Sequence, residues 1–279
     1  MTTLAPLREV IARFSLSARK SLGQHFLLDN NITAKIVRMS GDLNGVNVIE
    51  VGPGPGGLTR ALLQSDAHSV YAIEKDDRCI AALGELEDVF PGRLHIVAQD
   101  ALTFSACDQV PTPRAIVANL PYNIGTLLLL NWLNDIAVNS GAYQSLTLMF
   151  QKEVGERLWA EPNSKQYGRL SVMTQWLCDV EHCFDLPASA FTPPPKVASS
   201  VIKLIPLPAP RYPARKETLE MVLAAAFGQR RKMLRSSLGS LSTDTESWLR
   251  AAHIDPTRRA ETLSIEEFCR LTQTQSISL

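Results

Sequence analysis

Apolar positions along this chain recur with two periods, and they divide it into strands that alternate with helices. Four of residues 46–51 are apolar and β-branched, and the run gives way at once to Gly52-Pro-Gly-Pro-Gly-Gly57. Leu58, Ala61, Leu62 and Leu63 then return at helical spacing, which predicts a strand, a tight glycine turn and a helix. Residues 69–73 predict a second short strand ending at Glu74, and 80–86 a helix. A third strand, 94–97, ends near Asp100, and a fourth, 114–118, runs into Asn119-Leu-Pro-Tyr122. Residues 127–133 predict a helix and 145–150 a fifth strand. Strands that are nearly continuous apolar runs belong to a parallel sheet covered on both faces, so the expected class is α/β. The polar and glycine-rich segments all fall at the carboxyl ends of strands, where open α/β sheets bind ligands.

After Pro206 the pattern changes. Pro206, Pro208, Pro210 and Pro213 predict a stiff, strand-free linker. Beyond it Leu219, Val222, Leu223, Ala226 and Phe227 form one helical face. Thr243-Asp-Thr-Glu246 and Ser264-Ile-Glu-Glu267 each fit a capping box, which predicts two further helices. The expected organisation is a larger domain over 1–206, with a basic N-terminal arm, and a small all-helical domain over 207–279. No internal repeat is visible.

Composition narrows the class. The 279 residues are 45% hydrophobic and 20% charged, enough for a substantial core. Arg8, Arg13, Arg19 and Lys20 interrupt any export signal, and no apolar run is long enough to span a bilayer, so a soluble, cytoplasmic protein is expected. Five scattered cysteines argue against a disulfide framework. Cys178-Asp-Val-Glu-His182-Cys183 lacks a second ligand pair, and strand alternation would turn its cysteines to opposite faces, so no metal is expected there. The formal charge of zero conceals an asymmetry. Residues 1–40 hold six Lys/Arg against two Asp/Glu, 206–279 eleven against eight, and 41–205 eleven against eighteen. An acidic centre between basic ends suits a cationic small ligand in the middle and a polyanion gripped from outside, although ordinary solvated surface would give the same counts.

Gly52, Gly54 and Gly57 match the dinucleotide pattern G-x-G-x-x-G, on its own a weak signal. A dinucleotide enzyme holds a pyrophosphate on the N–H groups of such a loop, but here Pro53 and Pro55 remove two donors and Glu50 adds negative charge. Glu74 stands where a carboxylate takes ribose hydroxyls, and Asp100 is placed to accept from a ligand's amine. A carboxylate-rich, phosphate-poor site favours a sulfonium-bearing nucleoside over a nicotinamide dinucleotide, and either over a merely structural turn.

Asn119-Leu-Pro-Tyr122 points to the chemistry. The exocyclic amine of adenine is a poor nucleophile because its lone pair is drawn into the ring. The Asn119 side-chain oxygen and the Leu120 carbonyl can accept from both of its N–H groups and favour a pyramidal nitrogen with its lone pair free. Pro121 stiffens the turn, and Tyr122 offers a stacking face. Orientation of this kind is worth on the order of 7–11 kcal/mol in favourable cases. A strand-end turn capped by Asn is the plain alternative. With a sulfonium as electrophile no strong general base is needed, and the sequence shows no nucleophile triad or carboxylate dyad.

At these residues the chain resembles the bacterial small-subunit ribosomal RNA adenine dimethyltransferase family. The likeness is carried by Val51-Gly-Pro-Gly-Pro-Gly-Gly-Leu-Thr59 and Asn119-Leu-Pro-Tyr122, with Lys20-Ser-Leu-Gly-Gln-His-Phe-Leu27, Phe191-Thr-Pro-Pro-Pro-Lys-Val197 and Ala226-Phe-Gly-Gln-Arg-Arg-Lys-Met-Leu234. It runs from about Lys20 to the end. It implies a Rossmann-like class I S-adenosylmethionine-dependent methyltransferase domain with a helical appendage. It also implies that two adjacent adenosines near the 3′ end of 16S rRNA each receive two methyl groups, with no obligate protein partner. By this likeness His25 and Leu27 line the cofactor site with Gly52 and Gly54, Glu74 holds the ribose and Asp100 the cofactor's adenine amine. Asn119 then lies between methyl donor and target amine, and Phe191 forms a second aromatic wall opposite Tyr122. His25 departs from the Asn of many relatives; either residue can donate a hydrogen bond, and His adds pH sensitivity. The prolines after Phe191 predict a rigid arm that holds the ring over a flipped base.

Arg230, Arg231, Lys232 and Arg235 are expected on the first helix of the small domain, and Arg13, Arg19, Lys20, Lys35 and Arg38 gather at the other end of the chain. Both groups are candidates for RNA phosphates, with a solvated basic face as the alternative. A large-subunit rRNA methyltransferase and a non-catalytic RNA-binding or transcription-factor relative remain as rival readings. The Phe-Gly-Gln-Arg-Arg-Lys segment argues against the first, and intact Glu74, Asp100 and Asn119 against the second.

Overall fold

The computed structural model describes residues 4–16 and 24–274. The chain divides into two compact units, Met1–Gly155 with Glu181–Pro206, and Glu156–Val180 with Leu207–Leu279. In chain order the elements are α1 (Leu7–Arg13), β1 (Phe26–Leu27), α2 (Asn30–Met39), β2 (Asn47–Val51), α3 (Gly57–Leu63), β3 (Ser69–Glu74), α4 (Asp77–Val89) and β4 (Leu94–Ala98). There follow α5 (Ala106–Gln109), β5 (Arg114–Asn119), α6 (Gly125–Val138), β6 (Leu146–Gln151), α7 (Lys152–Leu158), α8 (Arg169–Leu177), β7 (Cys178–Leu186), β8 (Phe191–Thr192) and β9 (Ser199–Pro206). The chain closes with α9 (Lys216–Gly228), α10 (Leu234–Ser237), α11 (Thr245–Ala251) and α12 (Ile265–Gln273). No described helix is long and apolar enough to cross a membrane.

The main sheet has seven strands in the order β4-β3-β2-β5-β6-β9-β7. Its five leading strands are the five apolar runs expected from the sequence, and they pair in parallel. Their strand order reverses between β2 and β5, and a crevice opens at such a switch point. The sheet is not wholly parallel, because β9 runs antiparallel to β6. That strand was hidden by its neighbourhood. Ser199, Ser200 and Lys203 interrupt the apolar pattern, yet both serines are buried with their hydroxyls bonded, and Pro206 closes the strand rather than opening a linker.

β1 and β8 form a separate two-stranded pair, Phe26 opposite Thr192 and Leu27 opposite Phe191. This clasp brings residues 24–28 against the glycine turn. A Cβ added to Gly57 would meet the Leu27 carbonyl oxygen at 2.5 Å, so only glycine allows the start of α3 to approach that strand.

In the second unit the buried face of α9, with Leu219, Val222, Leu223 and Ala226, is the face expected from its spacing. Glu156–Val180, part of the larger domain in the sequence reading, belongs to this unit, and Phe227 packs its ring 6.0 Å from Tyr167 and 5.6 Å from Phe268. The Ser264/Glu267 capping box forms as expected. The first expected box shifts by one residue: Asp244, not Thr243, caps α11, its carboxylate accepting from Ser247 N–H at 3.1 Å. An ionised oxygen is the stronger acceptor at a helix N-terminus.

Candidate active site

The carboxyl ends of β2, β3, β4 and β5 surround one cavity, at the place where open α/β sheets bind ligands. His25, Gly52, Gly54, Glu74, Asp100, Asn119, Leu120 and Tyr122 all line it.

The glycine turn is tied to β3. Gly54, at φ 56°, donates its N–H to Glu74 Oε2 at 3.2 Å, while Glu74 Oε1 accepts from Lys75 N–H at 2.8 Å and Asp76 N–H at 3.0 Å. Glu74 is buried, and three of a carboxylate's roughly four acceptor positions are used, leaving one for a ligand hydroxyl. The Gly54 donor is thus spent on a carboxylate, and Pro53 and Pro55 have none. The turn is poorly equipped for a pyrophosphate and well placed beneath a ribose.

Asp100 accepts from Leu102 N–H and from Lys75 Nζ, each at 3.0 Å, and these two bonds, the backbone one first, hold its carboxyl below the usual range. It still has acceptor capacity for an amine. Glu50, just before the turn, is buried, and its Oε2 has no hydrogen-bond partner among the described residues. Burial pushes this carboxyl up to about 8, with Glu74 adding to the push and Thr59 opposing it.

Asn119 ends β5, and its side-chain Nδ2 donates to the His25 carbonyl at 3.2 Å. That bond fixes which end of the amide is free: Oδ1, the acceptor. His25 is itself anchored, Nδ1 donating to the Pro193 carbonyl at 2.8 Å, and its ring lies 5.3 Å from that of Tyr122 at 32°. The Tyr122 hydroxyl is bonded to Ser199 Oγ at 2.5 Å.

Two expected residues are placed elsewhere. Leu27 is in the hydrophobic core, and its neighbour Phe26 takes the cavity position, packing on Gly54. Phe191 is 3% exposed in the same core cluster as Leu27, Leu186 and Val201, and it does not line the cavity. A ring fixed opposite Leu27 by strand pairing gains more from that apolar contact than from standing free in the cleft. The aromatic beside Tyr122 is His25. Gln24, Phe26, Lys75 and Gln99 also line the cavity and were not singled out from the sequence, although all four adjoin residues that were.

The basic residues are more divided than their clustering implies. α9 ends at Gly228, so Arg230, Arg231 and Lys232 lie in the turn after it and Arg235 on α10. Arg230 pairs with Glu261 at 2.8 Å and Arg235 with Glu246 at 3.1 Å. Arg231 and Lys232 are exposed without a partner among the described residues. At the other end Arg13 pairs with Glu85, Lys35 lies 3.9 Å over the Phe184 ring and Arg38 is exposed. Arg19 and Lys20, with the start of the Lys20–Leu27 motif, lie outside the described residues.

Comparison with known proteins bears on this geometry. The family model described as ribosomal RNA adenine dimethylase matches residues 15–276. The chain is 58% identical over 273 residues to the ribosomal RNA small subunit methyltransferase A of Paramagnetospirillum magneticum, covering 98% of this chain and 95% of that protein. It is 55% identical to the protein of the same description from a Jannaschia species, with 97% and 93% covered. Among solved structures, a dimethyladenosine transferase from Plasmodium falciparum has the same fold, with a TM-score of 0.72 at 24% identity over 88% of this chain and 96% of that one. The 23S rRNA methyltransferase ErmE superposes with a TM-score of 0.65 at 25% identity, covering 89% and 98%.

Proposed function

Because the chain belongs to the ribosomal RNA adenine dimethylase family, we propose that it transfers methyl groups from S-adenosylmethionine to N6 of two adjacent adenosines near the 3′ end of 16S rRNA. Each adenosine receives two methyl groups, and the substrate is an immature small ribosomal subunit in the cytoplasm. The observation that carries this reading is the orientation of Asn119. Its amide nitrogen is committed to the His25 carbonyl, so its oxygen is the group left to receive an amine N–H.

The cavity fits the cofactor by its donor set. Glu74 keeps one acceptor position for a ribose hydroxyl, Asp100 keeps capacity for the adenine amine, and Gly52 and Gly54 let backbone approach the ligand. S-adenosylmethionine would supply a methyl group already activated by its sulfonium, so no metal is needed; S-adenosylhomocysteine would leave as the S–C bond breaks, and the proton of the methylated amine would pass to solvent. The remaining work is done by the chain. Asn119 Oδ1 and the Leu120 carbonyl draw hydrogen bonds from the target amine and free its lone pair. Tyr122, held by Ser199, stacks on the base and sets its plane, and the buried Leu120 keeps water from the reacting atoms. Stacking at roughly 1–3 kcal/mol per base offsets the few kcal/mol needed to extract it.

The test is transfer of tritiated methyl from labelled cofactor to small subunits lacking the modification, followed by mapping of the label. Dimethylation of two adjacent adenosines in 16S rRNA is expected. Label confined to large-subunit RNA, the activity named for ErmE, or no transfer at all would overturn the proposal. Asn119→Ala should abolish transfer while cofactor binding largely persists.

A further inference from the structure

Leu120 and Tyr122 line two openings. One is the cofactor cavity. The other is a small crevice, bounded also by Gly125, Thr126, Phe150 and Gln151. The turn that carries the amine acceptors is therefore a wall common to both. A Cβ on Gly125 would come within 3.4 Å of both Leu120 and Phe150, so the glycine keeps this crevice open.

The crevice is mainly apolar. The Tyr122 hydroxyl is taken by Ser199, which leaves the Thr126 hydroxyl and the Gln151 amide as its side-chain polar groups. Gln151 ends β6, directly opposite Ser199 of β9 in the antiparallel register. The strand pair that holds the aromatic wall thus fixes the Gln151 backbone beside it. Its side chain is half-buried and has no hydrogen-bond partner among the described residues, whereas the next residue, Lys152, is engaged with Asp185. A half-buried carboxamide with no partner among the described residues, lining the same crevice as Leu120 and Tyr122, has its donor available to a ligand.

We propose that Gln151 is a specificity-determining residue, donating its amide N–H to a ring nitrogen beside the amine of the target adenine. The inference rests on the methyltransferase reading above. Acceptors at Asn119 and Leu120 recognise an amine but not the ring that bears it. Stacking on Tyr122 fixes the ring's plane but does not read its edge. A further hydrogen bond to a ring nitrogen, beside the two made by the amine, identifies the base. Adenine flanks its amine with acceptor nitrogens at N1 and N7, and a carboxamide donor is their natural complement.

The experiment measures single-turnover methylation of RNA carrying adenosine, 1-deazaadenosine or 7-deazaadenosine at the target position. The unaltered chain should lose about 10- to 100-fold in the single-turnover rate constant at limiting RNA with one of the two analogues. Gln151→Ala should lose the same factor with adenosine and nothing further with that analogue. Gln151→Glu, which keeps the length but not the N–H, should behave likewise. Both variants should bind S-adenosylmethionine as the unaltered chain does, by calorimetry. Indifference to both analogues, losses that multiply, full turnover by Gln151→Ala, or weakened cofactor binding would each overturn the assignment. Failure of the unaltered chain to methylate adenosine would instead bring down the methyltransferase reading, and this inference with it.

Discussion

The hydroxyls of Tyr122 and Ser199 lie 2.5 Å apart, and Ser199 is fully buried at the start of β9. An antiparallel strand thereby fixes the Tyr122 ring, the surface proposed to stack on the target base. A stacking surface is useful only if its own rotamer is locked. Ser199→Ala is expected to lower kcat about 3- to 10-fold, in keeping with the loss of one hydrogen bond, and to leave cofactor affinity unchanged. Tyr122→Phe should do the same, and the double variant should be no worse than either. Losses that multiply in the double-mutant cycle would show that the two hydroxyls act separately.

Glu74 has two tasks that substitution can separate. Its carboxylate anchors the glycine turn through Gly54, and its remaining acceptor position is the one proposed for the ribose. Glu74→Ala should weaken S-adenosylmethionine binding at least about tenfold and leave three backbone N–H groups without an acceptor, at about 1–3 kcal/mol of stability. Glu74→Gln, with one acceptor oxygen kept, should retain more of both. An unchanged dissociation constant for the alanine variant would remove Glu74 from the ribose site.

Glu50 predicts a pH dependence. Its folded carboxyl is raised to about 8, well above an unfolded glutamate near 4.5, so the folded chain holds a proton that the unfolded chain has released between those values. The contribution of this group to stability is present in full below about pH 4.5 and is lost as pH rises toward 8. Glu50→Gln, which imitates the protonated form, should flatten that decline in urea denaturation followed from pH 5 to 8.5. A slope identical to that of the unaltered chain would mean that Glu50 is ionised in the folded state.

Much of this was legible in the sequence, and the reasons differ by element. β2 and β5 announce themselves because a central strand covered on both faces must be apolar, and their ends carry the glycine turn and Asn119. Glu74 and Asp100 were readable because a strand end in such a sheet points at the ligand. β9 was not readable, since its buried serines are satisfied by partners outside the strand, Ser199 by Tyr122, 77 residues away, and Ser200 by Asp185. Phe191 was misplaced for a related reason. Only its pairing with Leu27, 164 residues away by numbering, decides whether an aromatic beside prolines faces cleft or core. The Arg230 cluster looked helical because periodicity does not mark where a helix stops at Gly228.

Phe191 supplies a prediction that distinguishes a core ring from a base platform. Packed among Leu27, Leu186 and Val201, it should cost about 3–5 kcal/mol of stability when replaced by alanine. Phe191→Leu keeps most of the apolar volume and should retain turnover along with stability. Turnover lost in a leucine variant that unfolds at the normal urea concentration would show that the ring leaves the core to stack on RNA.

The remaining prediction concerns the grip on RNA. An arginine already paired with a carboxylate must break that pair to neutralise a phosphate, and the net gain is small. Arg230 and Arg235 are in that position, bound to Glu261 and Glu246, while Arg231 and Lys232 stand exposed without a partner among the described residues. The salt dependence of RNA binding should therefore reside mainly in the second pair. Neutralising Arg231 and Lys232 together should reduce the slope of log affinity against log salt by roughly 1.4–1.8, the release expected for two phosphate contacts. Neutralising Arg230 and Arg235 should change it less and should cost stability as well, because Glu261 and Glu246 lose their partners. Filter binding of 16S rRNA fragments over a range of potassium chloride concentrations measures both slopes. Equal slopes for the two double variants would show that ion pairing within the second unit does not decide which cations meet the RNA.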